Sequence, residues 1–267
     1  MPFVVSQGRK IYYERHGQGP ALLFCHGAGS NAATWWQQLN AFSRDFTCIT
    51  MDLRCFGRSA APLDEFAFEC FVPDALAVLD AENIERAGVI GQSLGGMIGL
   101  RLALQHADRI WAFVASDTSL AVDHALLLEI MRQRVTVTKA LTVEQRSLGR
   151  WFLEHHPDRA ALYMQINHFN PSAHAFTPQE WGAAMQGLIA PRNLLPVAQL
   201  AQVQCPTLFI VGSEDPLVPV SVVQEFQALV AHSEVHVVQQ AGHSAYFEKP
   251  QEFNENVLAF LKRHTAA

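Results

Sequence analysis

The chain has 267 residues, of which 49% are hydrophobic and 16% charged, a balance typical of a globular protein and not of a disordered or fibrous one. Its formal net charge is −6, and it contains no block of lysine and arginine, so the composition does not favour nucleic-acid binding. No apolar run is long enough to predict a membrane span.

The apolar patterns of the first half alternate between strands and helices. In chain order they predict strands at Phe3–Ser6, Lys10–Arg15 and Ala21–Cys25, a helix from an Asn31 cap to about Phe42, and a strand at Phe46–Met51. There follow a helix near Val72–Ala81, a strand at Ala87–Ile90, a helix at Leu94–Gln105 and a strand at Arg109–Ser116.

The second half interrupts and then resumes this alternation. From about Leu120 to Leu195 the pattern is mostly helical and punctuated by prolines, after which strands are predicted at Thr207–Val211 and Val235–Gln239 and a helix at Gln251–Lys262. Alternating strands and helices predict an α/β fold with a mostly parallel sheet flanked by helices. We therefore predict one core formed by residues 1–120 and 191–267, with a helical lid inserted at 121–190.

The cysteines and the first residues bear on the cellular compartment. The number of cysteines is odd and no two are spaced as Cys-x-x-Cys, which favours reduced thiols; they are Cys25, Cys48, Cys55, Cys70 and Cys205. The N-terminal segment lacks the basic stretch followed by an apolar one that is typical of a signal peptide. We expect a cytoplasmic protein.

The strongest chemical signal is the sequence GQSLGG at positions 91–96, between a predicted strand and a predicted helix. A serine on such a sharp turn is backbone-strained, and glycines two residues to either side remove the collisions that side chains would cause there. The turn would expose the Ser93 hydroxyl and aim the first amides of the helix, including that of Leu94, at a developing negative charge. Ser93 is the predicted nucleophile.

A serine nucleophile needs a base, and the base needs a carboxylate that orients it. His243 follows a predicted strand in the sequence GHS, and Asp215 follows another in GSEDPLVP, so that serine, acid and histidine occur in the order used by this type of fold. All three would stand at the carboxyl ends of parallel strands. Glu214 and Asp117 are the alternative acids.

These motifs together resemble a known family. The chain is similar to lid-bearing α/β-hydrolases of the carboxylesterase and enol-lactonase type in HGAG at 26–29, DLRCFGRS at 52–59, QSLGGM at 92–97, GSEDPLVP at 212–219 and GHSAYFEKP at 242–250. The resemblance implies a second oxyanion amide at Ala28, beside that of Leu94. Family members usually have glycine where Cys55 stands, and this difference affects the expected local turn.

Other chemistries explain fewer of these residues. The sequence GAGSNA at 27–32, with Asp52 after the next strand, matches a dinucleotide-binding pattern, but an oxyanion loop accounts for it equally well. A serine at position 93 argues against the related enzymes that attack with a carboxylate. Carbon–carbon bond hydrolases remain open, although the position after His243 is Ser244 and not the tryptophan usual in them. No metal-ligand spacing appears among the lid histidines, His155, His156, His168 and His174.

The predicted function is hydrolysis of a carboxylic ester or lactone of a small, largely apolar molecule through an acyl-enzyme, without a metal or organic cofactor. The aromatic residues predicted to contact the substrate are Trp35, Trp151, Tyr163 and Trp181, with Trp36 as an alternative to Trp35. A thioesterase, a carbon–carbon bond hydrolase and a receptor that retains the triad but turns over slowly remain alternatives. No nucleic-acid or membrane partner is expected, and the sequence predicts no oligomeric state.

Overall fold

The computed structural model describes residues 2–170 and 176–265, apart from the side chains of residues 134–139 and 168. Within this part, eight strands form one sheet. Their bounds are β1 Phe3–Ser6, β2 Arg9–His16, β3 Ala21–Cys25, β4 Thr47–Met51, β5 Ala87–Gln92, β6 Ile110–Ser116, β9 Thr207–Gly212 and β10 Ser233–Val238. Their order across the sheet is β1-β2-β4-β3-β5-β6-β9-β10. The pairs β1–β2 and β2–β4 are antiparallel and all others are parallel.

Helices cover both faces of the sheet. They are α1 Trp36–Phe42, α2 Phe68–Ala81, α3 Leu94–Gln105, α9 Val220–Leu229, α10 Ala245–Glu248 and α11 Pro250–His264. Successive side chains of β3 point to opposite faces, so Leu23 joins the core under α2, α3 and α9, while Leu22 and Phe24 join the core under α1 and α11. Burial on both faces explains why the central strands read as continuous apolar runs. The predicted fold class is confirmed.

The insertion between β6 and β9 contains five α-helices among its described residues. They are α4 Ala125–Ala140, α5 Val143–Ser147, α6 Arg150–His155, α7 Pro157–His168 and α8 Pro178–Leu188. A two-residue parallel pair, β7 (Val122–Asp123) and β8 (Leu195–Pro196), joins its two ends. The sequence did not predict this pair because two residues are too few to show a period. The lid boundaries at 121 and 190 stay a prediction.

Two local differences from the predicted elements have identifiable causes. Asn31 does cap a helical segment, with its side chain accepting a hydrogen bond from Ala33 N, but the segment begins as a 3₁₀ turn at Ala32–Trp35 before α1. Cys55 has a φ of 71°, so it adopts the left-handed backbone conformation that glycine usually provides at this turn, although it carries a side chain. None of the described helices combines the length and apolarity needed to cross a bilayer.

Candidate active site

Ser93 lies on a strained turn between β5 and α3. Its φ and ψ are 50° and −111°, a region that residues with a side chain rarely adopt, and the residue is half-buried. A Cβ atom at Gly91 would overlap the carbonyl of Gly95, and one at Gly95 would overlap the carbonyl of Cys25. The flanking glycines are therefore required by close backbone packing, as the motif indicates.

Asp215 and His243 form a hydrogen-bonded pair beside this turn. His243 Nδ1 lies 2.8 Å from Asp215 Oδ2, and the other carboxylate oxygen accepts hydrogen bonds from Leu217 N (2.7 Å) and Val218 N (3.0 Å). The carboxylate is thus held in one orientation. With Nδ1–H donating to Asp215, the neutral imidazole carries its lone pair on Nε2, which can accept a proton.

The charge around His243 favours its protonated form. Burial opposes protonation, but the charge and hydrogen bond of Asp215, with smaller contributions from Asp117 and Glu248, outweigh it and raise the pKa of His243 above its usual 6.5. The nearby carboxylates, Asp215 foremost, therefore stabilise the imidazolium that forms when His243 takes a proton.

The two alternative acids have other partners. Glu214 Oε2 accepts a hydrogen bond from Trp151 N at 2.9 Å. Asp117 is buried and accepts from Gly212 N (2.8 Å) and Ser116 Oγ (2.8 Å). Burial and the nearby Asp215 charge raise the pKa of Asp117 to about 7. Only Asp215 among the three carboxylates has a described hydrogen bond to His243, whereas Asp117 acts on it through its charge.

The predicted oxyanion amides lie on two elements that converge at Ser93. Leu94 is the first residue of α3, where backbone N–H groups have no acceptor within the helix. Ala28 lines the same cavity as Ser93. His26 holds this loop: its Nδ1 bonds to the carbonyl of Gly27 (2.7 Å), and its Nε2 accepts from Leu53 N (2.9 Å). Burial lowers the pKa of His26 to about 4, so the ring is neutral in this role.

Asp52, the acidic residue of the alternative dinucleotide-binding pattern, is occupied by hydrogen bonds within the protein. Asp52 is fully buried, its Oδ1 accepts from Ala32 N (2.7 Å), and its Oδ2 accepts from the Arg58 backbone N and Nε (both 2.7 Å). A carboxylate engaged in this way has no free face for a ribose hydroxyl. Asp52 instead fixes the loop that precedes α1.

Two chambers meet at Ser93 and His243. The apolar chamber, of about 270 Å³, lies between the sheet edge and the lid, and its other described lining residues are Met97, Ser119, Ala121, Val122, Leu127, Leu128, Ile130, Met131, Met185, Ile189, Leu194, Pro216, Leu217 and Val218. The larger chamber, of about 870 Å³, is more polar; besides Ser93 and His243 it is lined by Ala28, Gly29, Ser30, Phe56, Gln92, Val143, Arg146, Ser147, Tyr163, Phe176, Pro178, Trp181, Gly182, Met185 and Leu217.

The structure brings two of the four predicted substrate-contacting aromatics to the cavity. Tyr163 and Trp181 line the larger chamber. The prediction for Trp35 is corrected, because this side chain is fully buried against Tyr246, with ring centroids 4.5 Å apart. Its neighbour Trp36 is 49% exposed and does not line either chamber.

Trp151 is also corrected. Its ring stacks on His155 at 4.4 Å and lies 3.8 Å below the Lys249 ammonium, outside both chambers. His156 packs on the edge of the same ring. No group of three potential metal ligands occurs among the described side chains. His174, and the side chain of His168, lie outside the described part of the chain.

Sequence reasoning missed most of the residues that line the chambers. Leu217 follows the acid in the motif that contains Asp215, and it lines both chambers, so its position two residues after the acid was an available signal. Met97 comes directly after the serine motif and lines the apolar chamber, so its position was a similar signal. Arg146 contributes a guanidinium group to the wall of the larger chamber, which Met185 also lines. Both residues lie on lid helices, and no sequence pattern distinguishes them from their neighbours.

Comparisons with known proteins agree with this architecture. A family model described as alpha/beta hydrolase fold matches residues 20–250. The chain is 28% identical over 266 residues to 3-oxoadipate enol-lactonase 2 of Acinetobacter baylyi, covering 97% of this chain and 96% of that one. It is 26% identical over 274 residues to 2-hydroxy-6-oxo-6-(2'-aminophenyl)hexa-2,4-dienoic acid hydrolase of Metapseudomonas resinovorans, covering 98% and 90%.

A solved structure is similar over nearly the whole chain. That structure, of Est816 as an N-acyl homoserine lactone degrading enzyme, matches with a TM-score of 0.80 and 26% identity and covers 97% of this chain and 100% of that one. The family model spans most of the chain and the motifs occur in the expected order. The chain therefore belongs to the alpha/beta hydrolase fold family.

Proposed function

We propose that this protein is a serine hydrolase that cleaves a carboxylic ester or lactone through an acyl-enzyme. The observation that carries the proposal is the 2.8 Å hydrogen bond between Asp215 and His243, on the wall of a cavity that Ser93 also lines. The enol-lactonase and lactone-degrading relatives support the choice of bond. Cleavage by such a triad needs no metal or organic cofactor.

The mechanism follows from the roles of these groups. His243 takes the proton of Ser93 as the hydroxyl attacks the carbonyl, and the Leu94 and Ala28 amides hold the resulting oxyanion, each donor contributing roughly 3 kcal/mol. His243 then gives the proton to the leaving alkoxide oxygen. Water, deprotonated by His243 in turn, then attacks the acyl-enzyme carbonyl. As the bond from the acyl carbon to the Ser93 oxygen breaks, His243 returns the proton to that oxygen and the acid leaves. Asp215 keeps the imidazole in the required tautomer throughout.

The residues that line the apolar chamber support an apolar acyl group. Apart from Ser93, Ser119 and His243, the described lining of the apolar chamber is made of apolar side chains, which cannot compensate the desolvation of a charged or strongly polar acyl group. We assign the acyl chain to this chamber and the alcohol, or the rest of a lactone, to the larger one.

A panel of esters tests the reaction and the acyl preference together. For p-nitrophenyl esters of increasing acyl length, kcat/KM is expected to rise about fourfold per methylene while the chain still enters the apolar chamber, since each buried methylene is worth about 0.8 kcal/mol. Longer chains are expected to lose this gain. Lactones with the same acyl chains are measured alongside, with Ser93→Ala as the control. A rate independent of acyl length would contradict the assignment of the chamber.

The same assay, extended to matched thioesters and to a dienoic acid substrate, separates the alternatives. Faster turnover of thioesters than of matched oxygen esters would favour a thioesterase. Cleavage of a dienoic acid substrate like that of the Metapseudomonas relative, with slow ester turnover, would favour a carbon–carbon bond hydrolase. A single stoichiometric release of p-nitrophenol without turnover would favour a receptor.

The pH dependence should report His243. The base must be neutral to accept a proton, and because the pKa of His243 is raised, kcat/KM is expected to fall with decreasing pH through a midpoint above 6.5. Asp215, Asp117 and Glu248 are the carboxyl groups whose ionised forms raise this pKa. Asp117→Asn removes one of them and is expected to move the midpoint to lower pH. A profile that stays flat down to about pH 4 would contradict His243 as the base.

A further inference from the structure

Glu248 is a buried carboxyl group that the proposed mechanism does not use. It lies at the end of α10, is 1% exposed, and both of its oxygens accept backbone hydrogen bonds. Oε1 accepts from Gly242 N at 2.9 Å and, more weakly, from Ser244 N at 3.4 Å, the two residues that flank His243. Oε2 accepts from Gly149 N, in the lid, at 2.9 Å. One side chain thus joins the loop of the base to the lid.

The lid and the histidine loop are in direct backbone contact at this point. A Cβ atom on Gly149 would lie 2.8 Å from Gly242 N, and one on Gly242 would overlap the backbone of Gly149. Gly149 is the residue before α6, and its φ and ψ of −65° and 150° are accessible to any residue. The glycine is therefore needed for the close approach and not for its backbone conformation.

Two further hydrogen bonds tie the lid and the histidine loop, separately, to the core of the molecule. Glu214, beside Asp215, accepts from Trp151 N in the first turn of α6. Gln92, beside Ser93, donates from Nε2 to the carbonyl of His243 at 2.7 Å. The backbone of the His243 loop is thus held on one side by the residue next to the nucleophile and on the other by Glu248.

We propose that Glu248 is a positioning residue for His243. It positions the imidazole by holding the histidine loop and the Gly149 end of α6 in one fixed arrangement. The inference rests on the proposed function, because His243 acts there as the base. Burial raises the pKa of Glu248 to about 8, but either protonation state keeps acceptor lone pairs on both oxygens, so the three N–H groups are satisfied across neutral pH.

Glu248→Gln tests this directly. An amide has one oxygen and one NH₂ group, so either Gly149 N or the pair Gly242 N and Ser244 N must face a donor instead of an acceptor. We expect kcat to fall about 10- to 100-fold with KM changed less than about threefold, because a misplaced base slows the chemical step more than binding. The rate of Ser93 labelling by a fluorophosphonate should fall in parallel, while end-point labelling counts the folded, competent sites.

A spectroscopic measurement separates positioning from general destabilisation. The downfield ¹H resonance of the His243 Nδ1–H, bonded to Asp215, is expected to shift or broaden in Glu248→Gln at temperatures where the protein is fully folded. Glu255→Gln, on the exposed face of α11, is the matched control, since Glu255 contacts Gln251 on the surface. We expect this control to match the wild type in kcat, in labelling rate and in the ¹H resonance.

Gly149→Ala provides a second variant that leaves Glu248 intact. Its methyl group forces the lid away from Gly242, so kcat and the labelling rate should fall as in Glu248→Gln; if Glu248→Gln does not fold, this variant decides. Unchanged kcat in both variants, or a loss that only follows the number of competent sites, would overturn the inference. If the wild type does not turn over esters or lactones, or if Ser93→Ala retains the wild-type rate, the proposed function itself is contradicted.

Discussion

Replacing Ser93 with alanine is expected to lower kcat by a factor of at least about 10⁴, to a residual rate that the oxyanion amides and binding alone support. No acyl-enzyme can form without the hydroxyl, while the amides of Leu94 and Ala28 remain in place. The measurement is steady-state hydrolysis of the best ester from the panel, with the variant purified free of wild-type protein.

Two controls make the result specific to Ser93. Ser233→Ala removes a hydroxyl that bonds to the carbonyl of Val230, away from both chambers, and should leave turnover within about twofold of the wild type. A fluorophosphonate should label the wild type once and the Ser93→Ala variant not at all. Retention of more than a tenth of the wild-type rate by Ser93→Ala would contradict the assignment of the nucleophile.

Asp215→Asn is expected to lower kcat by about 10⁴-fold at neutral pH while leaving the fold unchanged. The contacts of Asp215 explain why the amide cannot adapt. Leu217 N and Val218 N donate to Oδ1, so the asparagine oxygen stays with them and its NH₂ group faces His243 Nδ1. The ring must then accept at Nδ1 and carry its proton on Nε2, where it no longer acts as a base toward Ser93.

The alternative acids serve as matched controls for this prediction. Glu214→Gln changes a contact to the lid, and Asp117→Asn changes a charge near His243, but both leave the Asp215 hydrogen bond intact. We expect each to retain at least about a tenth of the wild-type kcat at its own optimal pH. A larger loss in Asp117→Asn than in Asp215→Asn would assign the orienting role to Asp117.

The strands and core helices were predictable because each combines a periodic apolar pattern with clear ends. The runs Ala21–Cys25 and Leu94–Gln105 were predicted with the bounds that the structure has, since glycine, proline or polar residues follow the apolar positions at each end. The two-residue pair β7–β8 was not predictable, because its residues pair only through the return of the chain after more than seventy positions.

The substrate-contacting residues show what local sequence cannot indicate. Trp35 and Trp181 are the same side chain, and each lies in a helical segment, Trp35 in a 3₁₀ turn and Trp181 in α8. Yet Trp35 is fully buried against Tyr246 and Trp181 lines a chamber. Which face of a helix meets a cavity depends on how that helix packs against elements distant in the chain. Of the four aromatic residues chosen by residue type, two therefore line the cavity and two do not.

The sequence by itself determined the fold class and the candidate residues of the triad, because strand periodicity and the glycines around Ser93 are local consequences of backbone sterics. The tertiary structure alone decided which of three carboxylates bonds to His243, which aromatic side chains line the cavity, and that Glu248 joins the histidine loop to the lid. Hydrogen bonds of this kind depend on atoms only a few ångströms apart that belong to residues up to about a hundred positions apart, and no local pattern encodes such distances.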